Sequence, residues 1–263
     1  MIDLHAHVLP GIDDGPPTLE ASLALARAAV ASGTRVMVAT PHIDARYGRA
    51  ATELDQAVSD LQVELDRVGI ALELRAGAEV AGARVADLDD ATLRRVALGG
   101  GGWILLETPF ERAEDVEGTM RDLQARGLGV VLAHVERSGP LRRDPARVRR
   151  MVEAGALVSI TADSLRGRFG AAARRFAVLL LREGLVHNVA SDAHDAKRRP
   201  PDLRAGLRAA ERAVPGVRAL LDHFTDAVPR AVLDGGPVPP APPRGRSWRR
   251  WISRSRAGSR RTS

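Results

Sequence analysis

The sequence predicts a parallel α/β fold, a small or distorted barrel, and three observations carry that reading. Five times a helical pattern ends in glycine and a short β-rich run follows: Gly33 before RVMVAT, Gly69 before IALEL, Gly127 before LGVVLAH, Gly155 before ALVSIT and Gly184 before LVHNVAS. The segments between these runs have helical period. The runs themselves are nearly continuous in Val, Ile, Leu and Ala, as strands buried on both faces of a sheet require.

Taken in order, the first strand is MIDLHAHV at the amino end. In the helix after it, Leu19, Leu23, Ala26 and Val30 recur at i, i+4, i+7 and i+11. RVMVAT is the second strand, and Leu54, Val58, Leu61 and Leu65 repeat the same spacing beyond it. IALEL and WILLE (103–107) are the third and fourth. LGGGG at 98–102 is a turn, because phosphate-binding glycines follow a strand and open a helix, whereas these precede a strand. Val116, Met120 and Leu123 mark the next helix, and LGVVLAH, ALVSIT and LVHNVAS complete seven strands. Seven βα units in about 200 residues suit one barrel better than two domains.

The stretch GGPVPPAPPRGR at 235–246 is a Pro/Gly linker, and the cationic tail after it is expected to be disordered. One folded unit over 1–234 and a linker with tail over 235–263 is the organisation this implies. The formal net charge of +6 is uneven: residues 237–263 hold eight arginines and no acid, which leaves the other 236 residues at −2. Trp248, Arg249, Arg250, Trp251 and Ile252 could contact anionic lipid weakly, a solvated tail being the plainer alternative. Aromatic residues are 3% of the chain, which leaves little for stacking bases, and no specific nucleic-acid partner is expected. The absence of cysteine excludes disulfides, thiolate zinc sites and cysteine nucleophiles. The start has neither the basic nor the apolar region of a signal peptide, so a cytoplasmic location is expected, peripheral to the membrane if the tail binds lipid.

Acids and histidines gather at the carboxyl ends of the expected strands, which converge on one mouth in a parallel barrel. The first strand ends in His5-x-His7 followed by Asp13-Asp14-Gly15, and the second in Pro41-His42. Glu79, Glu107 and His134 end the next three, with Glu136 and Arg137 just beyond, and Ser191-Asp192-Ala193-His194 ends the last. Nine of these side chains, His5, His7, Asp14, His42, Glu79, Glu107, His134, Asp192 and His194, are candidate ligands of a polynuclear metal site. Imidazole and carboxylate without thiolate suit Mn, Fe or Zn, and nine ligands divide naturally among three ions. Closely spaced divalent ions suit displacement at phosphorus. Arg137 and Arg199 stand beside them, and a guanidinium matches phosphate oxygens, although a solvated surface arginine is the alternative. Lys197 and Arg198 read as loop charges, His187 as structural at the far end of the barrel, and His223 as a surface residue of a late helix.

The order H-x-H, DDG, T-P-H, G-x-E, a strand-end Glu, A-H-x-E-R and S-D-A-H resembles the PHP (polymerase and histidinol phosphatase) superfamily. More narrowly, MIDLHAHVLPGIDDGP, VATPH, AHVER, SLRGRFG and VASDAHDAKRR look like the bacterial manganese-dependent tyrosine-protein phosphatases of capsular and exopolysaccharide loci. The resemblance implies a distorted (β/α)7 barrel of PHP type and three divalent ions, manganese first. His5, His7, Glu79 and Asp192 would hold one ion; Glu79, Glu107 and His134 a second; Asp14, His42 and His194 the third. It places Arg137 and Arg199 on the phosphate, and a hydroxide between two ions would attack phosphorus directly. The implied substrate is phosphotyrosyl protein, the C-terminal tail of a membrane-associated tyrosine kinase. A small-metabolite phosphatase, a nuclease of the same superfamily and a non-enzymic phosphate-binding module are the competing readings. Val135 and Ile43 depart from the pattern without touching a ligand, and the loop around Arg46, Tyr47 and Arg49 is where substrate contacts would differ.

Overall fold

The computed structural model describes residues 1–48, 50–111 and 114–240. The chain opens with β1 (Ile2–Ala6), α1 (Leu19–Ser32), β2 (Val36–Ala39), β3 (His42–Ile43) and α2 (Ala50–Arg67). Then come β4 (Glu73–Ala76), β5 (Glu79–Ala81), α3 (Asp90–Val96), β6 (Trp103–Glu107), α4 (Val116–Ala125) and β7 (Gly129–Ala133). After these lie α5 (Gly139–Arg143), α6 (Pro145–Glu153), β8 (Leu157–Thr161), α7 (Ala162–Arg166) and α8 (Gly170–Arg182). The last elements are β9 (Asn188–Ala190), α9 (Leu203–Ala210) and α10 (Val228–Asp234). Among the described residues, no helix is long and apolar enough to cross a membrane.

Every strand pair is parallel, in one sheet of order β1-β2-β4 and another of order β3-β5-β6-β7-β8-β9. The ends of the two sheets meet where Asp192 N–H donates to the His5 carbonyl and His7 N–H to that of Ala193, each at 2.8 Å. The five glycines expected at helix ends, Gly33, Gly69, Gly127, Gly155 and Gly184, all have φ between 66 and 95°. Only a residue without Cβ takes that conformation cheaply, and there the chain reverses from helix to strand.

Among the described residues nine strands stand where seven are expected, because the second and third are each cut in two. Pro41 has no N–H for the ladder and ends β2, and pairing resumes at His42 in β3. Beside this break Gly77 and Ala78 separate β4 from β5; a Cβ on Gly77 would lie 2.8 Å from Val38 Cγ1. The third strand begins at Glu73 rather than Ile70, since Ile70 and Leu72 are buried within the connection from α2. The last strand shortens to Asn188–Ala190. These breaks put His42 and Glu79 in register on adjacent strands. The apolar runs serve two cores, as alternation along a strand dictates. Ile104, Leu106, Val130 and Leu132 pack beneath the helices, while Leu105, Val131 and Ala133 join Leu4, Val38 and α10 residues Val228 and Val232.

Two histidines lie away from the strand ends. His187 N–H donates to the Val158 carbonyl at 3.0 Å, and its Nδ1 accepts Val158 N–H at 3.1 Å, a structural role as expected. His223, expected at the surface, is instead buried, its ring edge-on to Phe224 at 5.2 Å. The π-type turn His223–Ala227 advances the helical register and carries the imidazole inward. Burial depresses both imidazoles to about 4. Their folded-state values lie below the ordinary 6.5, so the stability they confer is full above that value and is lost as pH falls towards 4. His187→Asn keeps an acceptor for Val158 N–H and removes the titration. Urea unfolding at about pH 7 and about pH 5 should therefore show a smaller loss of stability for this variant than for wild type, and equal losses would reject the assignment.

Candidate metal centre

The site is built from strand ends. β1 delivers His5 and, one residue past its end, His7, whose Nε2 atoms lie 3.2 Å apart. β5 opens with Glu79, buried and surrounded by imidazoles. Its Oε2 is 3.0 Å from His5 Nε2, 3.4 Å from His7 Nε2 and 3.2 Å from His42 Nδ1. Its Oε1 is 2.6 Å from His134 Nε2. Asp192 Oδ1 lies 3.6 Å from both His5 and His7, and Asp14 Oδ1 is 3.3 Å from His194 and 3.6 Å from His42.

All nine expected side chains fall into four overlapping groups whose potential ligand atoms lie within 4.8 Å of one another: His7, Asp14, His42 and His194; His5, Glu79 and His134; His5, His7 and Asp192; His42, Glu79 and Glu107. Glu107 thus stands with His42 and Glu79, next to the group that contains His134. Arg137 Nη1 and Arg199 Nη2 both donate to Asp192 Oδ2 at 2.6 Å. Phe169 lies under both guanidiniums, 4.2 and 5.6 Å away, and Phe110 is 4.6 Å from that of Arg137. Lys197 and Arg198 are exposed. Of the loop expected to vary substrate contacts, Arg46 lies over the Tyr47 ring at 5.0 Å, and Arg49 lies outside the described residues.

Several supporting residues carried no role in the sequence reading. Asp13 Oδ2 accepts from His7 Nδ1 at 2.6 Å and from His42 N–H at 3.1 Å, so it turns the His7 Nε2 atom towards the cluster. The DDG run signals an acid here but does not say which aspartate faces which ring. Gly15 completes that loop, where a Cβ would come 2.7 Å from the His7 carbonyl. Asp3, buried on β1, accepts from Ser191 N–H at 3.0 Å and ties β1 to the chain that carries Asp192. Glu136 accepts from Thr161 N–H at 3.0 Å and Ser164 Oγ at 2.6 Å, which anchors the turn bearing Arg137. Among the described residues the only non-glycine positive φ values are at His134 (32°) and Asp192 (51°), both candidate ligands. Such conformations cost on the order of 1–3 kcal/mol each and persist where the surroundings over-determine them.

The electrostatics follow from burial and crowding. Burial pushes Glu79 and Asp192 up, but the imidazoles on the first, and His5, Arg199, His134 and Arg137 around the second, hold both below the usual carboxylate range. The His194 bond likewise lowers Asp14. At Glu107, burial first, then Glu79, Asp44 and Glu114, outweigh the pull of His7 and push it up to about 8. Burial lowers His42 and His194, whereas at His7 the bonds to Asp13 and Glu79 outweigh burial and raise it to about 10. Four carboxyl groups, Glu107 among them protonated near neutral pH, therefore face two guanidiniums and the His7 cation in a largely buried place. His42 Nδ1 is buried with no hydrogen-bond partner although it lies close to the Glu79 carboxylate. Imidazole and carboxyl groups, with no thiolate, form a donor set that fits divalent cations.

The comparisons with known proteins agree with this chemistry. The model of a family described as capsular polysaccharide synthesis, CpsB/CapC, matches residues 1–219. The chain is 36% identical over 201 residues to tyrosine-protein phosphatase YwqE of Bacillus subtilis, which covers 76% of this chain and 79% of YwqE. It is 30% identical over 218 residues to tyrosine-protein phosphatase CpsB of Streptococcus agalactiae, covering 77% of this chain and 86% of that one. A chain from the crystal structures of YwqE and of Streptococcus pneumoniae CpsB, described as metal-dependent tyrosine phosphatases, superposes with a TM-score of 0.83 at 32% identity, covering 93% and 98% of the two chains. By its sequence over most of its length, this chain belongs to the CpsB/CapC family of capsular polysaccharide synthesis.

Proposed function

We propose that this chain is a metal-dependent protein-tyrosine phosphatase. The observation that carries the reading is the convergence of five imidazoles and four carboxylates beside two guanidiniums that share one Asp192 oxygen. Membership of a family whose relatives are named tyrosine-protein phosphatases supports it. The two sheets form one distorted (β/α)7 barrel with the site at its mouth, and residues 1–234 are the catalytic unit. The substrate is a phosphotyrosyl protein, the C-terminal tail of a membrane-associated kinase, met at the cytoplasmic face of the membrane. The basic tail proposed to touch lipid lies outside the described residues from position 241 onward.

His5, His7, Glu79 and Asp192 would hold one divalent ion, Glu79, Glu107 and His134 a second, and Asp14, His42 and His194 a third, with manganese preferred to iron or zinc. Bound there, such ions would lower the pKa of water towards neutrality and offset phosphoryl charge. Arg137 and Arg199 bind the non-bridging phosphate oxygens. Their grip strengthens as charge shifts on the way to the transition state. Arg199 Nε is buried without a partner, a donor left over for such an oxygen. Asp192 Oδ2 and the face of Phe169 hold both guanidiniums in place before substrate arrives. The phenol of tyrosine, with a pKa near ~10, leaves with little protonic help. A cysteinyl-phosphate route is closed to a chain without cysteine.

His5→Ala/His7→Ala should lower turnover of a phosphotyrosyl peptide by about 10³-fold or more. In wild type, manganese at a hundred times its Kd should stabilise the chelated protein by about 2.7 kcal/mol, seen as a rise in thermal midpoint, and the double variant, which keeps the other two ligand sets, should show a smaller rise. Equal activity in wild type and variant would overturn the metal assignment. Arg137→Lys and Arg199→Lys should each reduce kcat/KM by about 10²-fold while the manganese-dependent rise is retained, since the fork is lost and the ligands are not.

A further inference from the structure

Away from the cluster, α8 presents a second concentration of charge. A cavity of about 660 Å³ runs along it, walled by Arg166, Arg174, Arg175 and Arg182 and floored in part by Val178 and Leu179. Leu179 is 39% exposed, one of three large hydrophobic residues so open among those described. Of the four arginines only Arg166 has a carboxylate partner among the described residues, Asp163 at 2.8 Å. Arg174 and Arg182 donate to the carbonyls of Leu165 and Ala213, which fixes their place without cancelling their charge. The groove begins beside the site. Gly167 lines it, and Phe169, two residues on, lies under Arg137 and Arg199. Two residues span at most ~7 Å, and the 13 residues of α8 extend about 20 Å, so roughly eight extended residues reach from the site to Arg182.

We propose that this groove docks an acidic segment of the phosphotyrosyl polypeptide, with an apolar side chain on Val178 and Leu179, several residues from the phosphotyrosine itself. The inference rests on the phosphatase reading. Charge complementarity selects the occupant: three uncompensated guanidiniums over an apolar floor suit Asp or Glu interleaved with an apolar residue. The chain's own terminal segment, with eight arginines and no acid over 237–263, is repelled from it.

The test uses the full-length manganese-loaded protein and Arg175→Glu/Leu179→Ser, neither residue belonging to the catalytic cluster. Substrates are p-nitrophenyl phosphate, a phosphotyrosyl peptide with a ten-residue Glu/Leu-rich flank, and the same peptide with Gln for Glu. The variant should raise KM for the acidic peptide about 10-fold with kcat unchanged, raise it less for the Gln peptide, which keeps only the apolar contact, and leave p-nitrophenyl phosphate unaltered. Binding of the unphosphorylated acidic peptide, read by fluorescence anisotropy, should weaken by the same factor, with an unchanged thermal midpoint as the check on folding. Full affinity in the variant, or no preference of wild type for Glu over Gln, overturns the groove while turnover of p-nitrophenyl phosphate keeps the phosphatase reading. If no substrate turns over, that reading fails and the anisotropy alone decides the groove. Phosphatidylserine vesicles that bind in an Arg175-dependent way when the peptide does not would also overturn it.

Discussion

The Glu79 carboxylate is the constraint on which the rest of the site depends. It is buried, and its two oxygens face imidazoles from β1, from the start of β3 and from the turn after β7. A carboxylate withdrawn from water must be compensated, and here that compensation brings residues distant in the chain to one point. His5 and His134 are separated by nearly half the polypeptide, yet both touch this one side chain. The parallel sheet makes the convergence possible because every strand delivers its carboxyl end to the same side.

Holding that many like-charged and neutral donors together requires a rigid surround. Asp13 orients His7, Asp3 joins β1 to the segment carrying Asp192, and Glu136 pins the turn before Arg137. His134 and Asp192 occupy left-handed backbone conformations that a free chain would avoid. The strain sits at two candidate ligands, where fixed geometry matters more than local stability. Cation binding then fits as the closing term, since a divalent ion there would replace the protons otherwise held on His7 and Glu107.

Two groups of arginines lie on either side of the loop after α7, with different partners. Arg137 and Arg199 are locked on Asp192 and stacked on Phe169, at the centre of the site. Along α8, Arg174 and Arg182 rest instead on the carbonyls of Leu165 and Ala213, without a carboxylate partner among the described residues. The loop Gly167–Phe169 has one group on each side, Gly167 lining the groove and Phe169 lying under the site arginines.

The sequence by itself determined the parallel α/β class, the five glycine helix ends, the nine strand-end side chains and the family, because each is written in local spacing or residue type. His-x-His on one strand, or Gly before an apolar run, needs no distant partner to be read. The tertiary structure alone decided the rest. Where Pro41 and Gly77 break their strands side by side, His42 and Glu79 come into register; neither break has meaning without the other strand. His223 looks exposed in a helical pattern and is buried by a turn wound wider than the pattern assumes. Asp3, Asp13 and Glu136 are ordinary acids until their partners, up to 188 residues away, are known. Burial, charge balance and hydrogen bonding are sums over neighbours in space, and only the folded chain supplies those neighbours.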